Sequence, residues 1–339
     1  MRALILKSYG GLDKLEFVEL PRPAIKPDEM LVQVYAAGLN PIDYMIPKGM
    51  FKPIMPIRLP HVVGSDLAGV VVETGSRVTR FKPGDAVFAS IFDQAGGSLA
   101  EFAVVPEFAA AHKPVNLDFV QAASVPMVGL TSWQALHERM QLKPGQKVFI
   151  PAGAGGIGTF AIQLAKHFGA TVGTTTSSRN VELVRALGAD DVVDYTRHDA
   201  GQVLHDYDAI LGTLRGDALE KSLKILKPGS KVVSLIGPPD AAFARARGMN
   251  FVMKTIFSLL SARIIRRARQ RDADYSFLFL RPDGGQLAEI GALLAAQRVR
   301  PVLDRVFAFE QAKDGLAYLE QGRARGKVVV RMQSPQPTN

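Results

Sequence analysis

The rhythm of hydrophobic and polar positions changes near Val120. Before it, Leu31-Val32-Gln33-Val34-Tyr35-Ala36 alternates in the manner of a half-buried strand, and Leu67 to Val72 is a near-continuous apolar run. Proline and glycine punctuate the stretches between, at Pro21, Pro23, Pro27, Gly38, Pro41, Pro47, Gly49, Pro53, Pro56, Pro60 and Gly64, which predicts a compact β domain with irregular connections. After it, short apolar strands alternate with helices. Lys147-Val148-Phe149-Ile150 reads as a strand. The helix that follows, over 157–168, sets Ile157, Ala161, Leu164, Ala165 and Phe168 on one face before Gly169 ends it. Strands over 171–174, 191–194, 209–211 and 232–236 continue the series, with helices over 181–187 and 219–226 between them. Such alternation predicts an α/β domain with a doubly wound parallel sheet. The pattern is lost after Gly237 and resumes with a helix over 285–297, a strand over 302–307, a helix over 309–321 and a last strand over 328–331.

A chain of 339 residues is long enough for two domains with full cores. With 47% hydrophobic and 22% charged residues it has the composition of an ordinary globular protein. The absence of cysteine excludes disulfide scaffolds, thiolate zinc sites, iron–sulfur clusters and cysteine nucleophiles together. The six histidines (His61, His112, His137, His167, His198, His205) are scattered without metal-ligand spacing. The first residues carry no signal-peptide pattern and no apolar run reaches the length of a membrane span, so a cytoplasmic location is expected. Basic residues outnumber acidic ones 41 to 32, a net charge of +9 that suits a phosphorylated ligand, an acidic membrane surface or nucleic acid alike.

Gly153-Ala154-Gly155-Gly156-Ile157-Gly158 has the spacing G-x-G-x-x-G directly after a strand and before a helix, the context in which it binds a dinucleotide. On this reading Gly153 permits the tight turn, Gly155 lets the backbone approach a pyrophosphate and Gly158 lets helix and strand pack closely, while the N–H groups of the helix start, with Gly156 and Ile157, face the anion. Where NAD enzymes place an acid against the ribose 2′-hydroxyl, this chain has Thr174-Thr175-Thr176-Ser177-Ser178-Arg179-Asn180. Hydroxyls and one arginine, Thr176, Ser177, Ser178 and Arg179, suit a 2′-phosphate and predict NADP(H). The two serines equally suit a helix cap.

With these residues in place the chain resembles the medium-chain dehydrogenase/reductase superfamily, and within it the zinc-free branch of NADPH:quinone oxidoreductases and enone reductases. The resemblance covers almost the whole chain and rests on Ala36-Ala37-Gly38-Leu39-Asn40-Pro41-Ile42-Asp43, Gly64-Ser65-Asp66-Leu67-Ala68-Gly69-Val70-Val71, Lys82-Pro83-Gly84-Asp85-Ala86-Val87-Phe88, the glycine turn, Leu187-Gly188-Ala189-Asp190 and Gly326-Lys327-Val328-Val329. It implies a GroES-like β domain over 1–122 to which 270–339 return, and a Rossmann dinucleotide-binding domain over 123–262. Zinc-dependent relatives place a cysteine at Asn40, a His-Glu pair at Ser65-Asp66 and a four-cysteine lobe further on, and this chain has none of them, which implies an enzyme without metal.

Carried over by the resemblance, Asn40 and Asp43 lie beside the nicotinamide as the catalytic pair, although Asn40-Pro41 also suits a plain turn. Thr131 falls at the nicotinamide end and Tyr195 against the adenine ribose phosphate, with an edge tyrosine capping the sheet as its simpler role. Backbone groups of Ile236-Gly237 and Phe279-Leu280 hold the carboxamide, and Arg323 or Lys327 reaches the cofactor phosphates. Two departures stand out. Enoyl-thioester reductases place a proton-donating tyrosine where this chain has Phe51, which weakens that reading; and Gly212-Thr213-Leu214-Arg215-Gly216 carries bulk where relatives have an Asp and paired glycines, which reshapes the cleft.

The expected chemistry is hydride transfer from NADPH to a quinone or an α,β-unsaturated carbonyl, whose conjugation spreads the developing charge without a metal. Simple alcohol oxidation is disfavoured. The expected partners are that small molecule and a second copy in a homodimer, with no nucleic acid. The competing reading is an NADPH-regulated binding protein on a membrane surface or RNA. It is prompted by residues 251–271, whose apolar first half precedes five arginines. The simpler reading of the segment is a helix over the cleft or a dimer contact with solvated arginines.

Overall fold

The computed structural model describes residues 1–214 and 217–332; Arg215, expected to reshape the cleft, lies outside the described residues. Two compact units divide the chain, one made of Met1–Leu130 with the segment from Arg281 onward, the other of Thr131–Leu280.

In the first unit a six-strand path runs Leu303–Ala308, Lys327–Arg331, Glu29–Leu39, Asp66–Thr74, Ala86–Ser90, Ala110–His112, and Phe102–Pro106 joins it by pairing with Glu29–Leu39. A second sheet has the order Leu15–Glu19, Arg2–Leu6, His61–Val62. The long central strand Glu29–Leu39 is buried at almost every position, because partners flank it on both edges and the core lies against it. Leu4, Val32, Val34, Leu67, Leu99, Phe309, Leu316 and Val330 meet in one core. The register brings three strand ends together. Gly38 pairs with Asp66 and Leu39 with Val328, so Asn40, Asp66 and Lys327 end up side by side.

The second unit has six parallel strands in the order Asp191–Asp194, Thr171–Thr176, Lys147–Ile150, Tyr207–Gly212, Leu226–Ser234, Ala273–Phe277. The order reverses beside the first of these in sequence, Lys147–Ile150, which makes a topological switch point. The helix Gly156–His167 is buried from Gly158 to Ala165 on every side, not along a single stripe; Ile157 and Phe168 are only half-buried.

The units meet at Leu130 and Leu280 and not at the expected 122 and 262. Two packing facts account for this. The helix Phe119–Ala123 packs on Glu29–Leu39 and Asp66–Thr74, which keeps it with the first unit. Ala273–Phe277, a strand that the hydrophobic pattern did not reveal, pairs with Leu226–Ser234 and carries the second sheet onward. Only Ala273 and Phe277 are fully buried in it, so an edge strand of this kind shows no apolar run. The stretch without pattern after Gly237 also holds two helices, Ala241–Ala246 and Phe251–Arg269.

Candidate active site

The turn after Lys147–Ile150 in the second unit is held by side chains of the neighbouring strand. Ala152 N donates to Thr175 Oγ1 at 3.1 Å, Gly153 N to the Thr175 carbonyl at 3.0 Å, and Thr174 Oγ1 to the Ile150 carbonyl at 2.6 Å. The left-handed position falls on Ala152, at φ 55°, and not on Gly153. Gly153 is needed for a different reason than the expected tight turn: a Cβ there would lie 2.2 Å from Thr174 Oγ1. At Gly158 a Cβ would meet the Ala152 carbonyl at 2.5 Å, so this glycine allows turn and helix to pack closely, as the spacing predicts. Gly155 differs from both, since its nearest neighbour would be one carbonyl oxygen at 3.4 Å. Its side faces open space. The N–H groups of the first turn of Gly156–His167 therefore open onto a cradle that a side chain at Gly155 would begin to fill, and this geometry fits a pyrophosphate.

The other predicted cofactor segments of this unit follow the carboxyl ends of its parallel strands, where open α/β sheets bind ligands. Thr176 is buried at the end of Thr171–Thr176. Ser177 precedes a short 3-10 turn, Ser178–Asn180. Arg179 is exposed and has no ion-pair partner among the described residues. Tyr195, next to the end of Asp191–Asp194, is 62% exposed and projects to solvent. The sequence reading passed over Asp194, whose carboxylate accepts hydrogen bonds from Ser178 Oγ and from Thr196 Oγ1 and lies 3.7 Å from Arg197. These hydroxyl bonds hold it well below the usual carboxylate range. Gly237 N donates to Ser234 Oγ at 2.9 Å. Phe279 packs on Phe243, Leu280 and Thr131 are buried, and Ile236 is partly exposed.

The first unit holds a cluster of a different character. Asn40 caps the helix Pro41–Met45, with Pro41 in the first turn where its missing N–H costs nothing. Asp43 Oδ2 accepts from Asn40 N at 2.8 Å and its Oδ1 accepts from Ser65 Oγ at 2.6 Å. Asn40 Nδ2 donates to Asp66 Oδ2 at 2.9 Å, and Met127 N reaches the same oxygen at 3.1 Å. The Lys327 ammonium donates to Asn40 Oδ1 at 2.5 Å and to the Leu39 carbonyl at 2.9 Å, and lies 3.7 Å from Asp66. All five side chains are buried.

Burial decides the protonation here. It pushes the Asp43 carboxyl up to about 7 against the pull of its bonds from Ser65 and Asn40. It raises Asp66 against the pull of the Lys327 charge, and lowers Lys327 against the pull of both carboxyls. One ammonium cannot neutralise two buried carboxylates, and burial raises both Asp43 and Asp66. Asp43 and Ser65 line a cavity of about 410 Å³ within this unit. Its walls are apolar at Ile46, Met55, Ile57, Val63, Ile91 and Phe92, and polar at Arg58, His61 and Gln94. Burial lowers His61.

Two predicted roles fail on this geometry. Lys327 does not reach toward cofactor phosphates; its ammonium is turned inward and spent on Leu39, Asn40 and Asp66. The Asn40 amide is likewise committed at both ends and has no donor left for a ligand. Ser65 was visible in the sequence only as a missing zinc ligand, and the structure makes it the hydrogen-bond partner of Asp43. The signal was the neighbouring Gly64, held at φ 100° with its missing Cβ directed at Ser98.

Comparison with known proteins adds the family. Residues 26–115 match the alcohol dehydrogenase GroES-like domain, and residues 187–330 a zinc-binding dehydrogenase domain. The chain is 38% identical to the mitochondrial NAD(P)H oxidoreductase RTN4IP1 of Danio rerio, over 99% of this chain and 92% of that protein. It is 36% identical to a chloroplastic NADPH-dependent alkenal/one oxidoreductase of Arabidopsis thaliana, over 97% and 79%. Among solved structures, the quinone oxidoreductase from Coxiella burnetii matches with a TM-score of 0.84 at 32% identity, over 98% of this chain and 99% of that one.

Proposed function

Since the chain belongs to the quinone oxidoreductase branch of the medium-chain dehydrogenase/reductase superfamily, and is an oxidoreductase that takes a nicotinamide cofactor, we propose that it reduces a quinone or an α,β-unsaturated carbonyl with NADPH. The observation that carries the reading is the Asp43–Ser65 pair on the wall of a cavity lined by both apolar and polar side chains. A pocket of this size suits a small conjugated molecule, its apolar walls meeting the ring or chain and its polar side chains orienting the oxygen.

The bound nicotinamide supplies the hydride, which brings both electrons. The protein has to supply the remaining proton. Ser65 Oγ donates to Asp43 at 2.6 Å in this structure; with its hydroxyl turned to the reduced acceptor it gives that proton, and a protonated Asp43 carboxyl then donates to the serine in its place. The net change is addition of one hydride and one proton to the acceptor, with Asp43 reprotonated from water afterwards. A carboxyl that titrates near 7 is matched to this task at neutral pH.

The cofactor residues in this reading are the turn from Gly153 to Gly158 for the pyrophosphate, with Thr176, Ser177, Ser178 and Arg179 at the adenosine end. Arg179 and Arg197 bring two positive charges against the one of Asp194, a balance that favours a 2′-phosphate. The zinc suggested by the matched domain's description does not fit here. The place between Asn40 and Asp66 is filled by the Lys327 ammonium, which repels a cation, and among the described residues no three His, Asp or Glu side chains are grouped to hold one.

Steady-state rates with quinones, enones and simple alcohols, each with NADPH and NADH and with a chelator present, test the proposal. NADPH oxidation by the conjugated acceptors, unaffected by the chelator, is the expected result. Alcohol oxidation that the chelator abolishes would overturn it.

A further inference from the structure

The helix Phe251–Arg269 has a role to fill that the redox site does not use. Its buried stripe is Phe257, Ser261, Ile264 and Ala268, spaced by four, three and four. Ile264 and Ala268 join the core around Phe149, Tyr207 and Val232. The side turned away from that core is apolar in its first half, where a surface helix is normally polar. Phe251 is 80% exposed, Leu259 71%, Val252 62%, Leu260 56% and Ile256 41%. Continuing along that side come Arg263, Arg266 and Arg267, all exposed.

Charge identifies what covers this face. From Ala241 to Arg271 the chain has eight basic residues and no acid. Arg263 and Arg267 are matched by one carboxylate, Glu220. Arg266, Arg269 and Arg271 have no acidic partner among the described residues. A second copy laid symmetrically on this face would bring no acid to the unmatched arginines, because an isologous contact brings a patch onto itself and this one has none from Ala241 to Arg271. A nucleic acid would satisfy the arginines but leave five large apolar side chains in water. An anionic lipid surface satisfies both. Apolar side chains enter the acyl boundary while guanidinium groups meet lipid phosphates at the headgroup level. No helix among the described residues is long and apolar enough to cross a membrane, so the contact is with the surface.

We propose that the exposed side of Phe251–Arg269 docks the protein on an anionic membrane surface, with Phe251, Val252, Ile256, Leu259 and Leu260 inserted and Arg266 and Arg269 on the lipid phosphates. This inference stands on the helix alone and is independent of the redox reading.

The test is flotation of the full-length protein with vesicles of phosphatidylcholine alone and of phosphatidylcholine mixed with phosphatidylglycerol. Binding is expected to the mixed vesicles only and to weaken with salt. Each arginine near an anionic surface contributes about fivefold. Replacing two, Arg266→Ala with Arg269→Ala, lowers partitioning by about 25-fold. Leu259→Glu with Leu260→Glu abolishes it. Circular dichroism and NADPH oxidation in solution are unchanged in both variants, which separates lost docking from lost folding. Absence of flotation at low salt overturns the proposal, as does equal flotation of the wild type and both variants. So does a dimer, by light scattering, that the glutamate variant dissolves, or binding to single-stranded RNA without binding to vesicles.

Discussion

The two polar centres of this protein solve opposite problems. The glycine turn of the second unit presents backbone N–H groups by removing side chains, and all its members lie within six consecutive residues. The cluster of the first unit encloses charge, and its members come from residues 40, 43, 65, 66 and 327, which only the register of three strands brings together. The first leaves its N–H groups open on one side. In the second the side chains largely satisfy one another, although Asp66 Oδ1 is left without a hydrogen-bond partner. Their difference shows that burial alone does not mark a site: of five buried polar side chains, Asn40, Asp66 and Lys327 bond one another, and Asp43 and Ser65 line the cavity.

The contrast is broken most severely by removing the ammonium. Lys327→Met leaves Asp66 buried beside Asn40 without its counter-charge, a loss of about 5 kcal/mol at neutral pH, to be read by urea denaturation. Adding Asp66→Asn restores most of it, because the charge that needed a partner is gone. If Lys327 reached cofactor phosphates instead, the single change would raise the KM for NADPH and spare stability.

Asp43 sharpens the comparison next. Its folded value lies above its unfolded one, so the folded state holds a proton that the unfolded state releases. Its contribution is complete below the unfolded value near 3.8 and is lost as pH rises through about 7. The change across that window is about 4 kcal/mol. Asp43→Asn therefore flattens the decline of stability between pH 4 and pH 7, roughly, in parallel denaturation curves. If Asp43 supplies the proton, the wild-type kcat falls as pH rises through about 7, Asp43→Asn lowers kcat and removes that dependence, and Ser65→Ala lowers kcat more than it changes KM.

What could be read from sequence follows from the same division. The strand, turn and helix around Gly153 to Gly158 were legible because their determinants are local in the chain: an apolar strand, glycines at fixed spacing and an apolar helical run ended by Gly169. The roles of Lys327 and Asn40 were not, because whether a lysine faces solvent or a carboxylate depends on the strand register between Val328 and Leu39. Ala273–Phe277 escaped because an edge strand with Asp274 exposed has no continuous apolar pattern. The mechanism at Gly153 was misassigned for a finer reason: the spacing shows that a small residue is required, but only the packed neighbour Thr174 shows why.

Within the turn itself the two kinds of glycine separate cleanly. Gly158→Ala forces a Cβ against the Ala152 carbonyl at 2.5 Å and costs about 1–3 kcal/mol of stability. Gly155→Ala meets only a carbonyl at ordinary contact distance, so its melting temperature stays near that of the wild type while NADPH affinity, by fluorescence titration, falls. Stability lost at the second position or affinity retained there would show that the cradle does not hold the pyrophosphate.

The smallest expected effect concerns the choice between cofactors. Arg179 is exposed and unmatched by an acid, so the charge it brings to a 2′-phosphate is screened by water and is worth about 1 kcal/mol, or about fivefold. Arg179→Ala should therefore raise the KM for NADPH by about that factor and leave the KM for NADH unchanged, with the difference shrinking as salt is added. Asp194 makes the experiment informative in the other direction. Its carboxylate is held ionised by Ser178 and Thr196, so Asp194→Asn relieves a repulsion and improves NADPH selectively. If both substitutions change NADPH and NADH equally, the loop positions the shared ribose and does not read the phosphate.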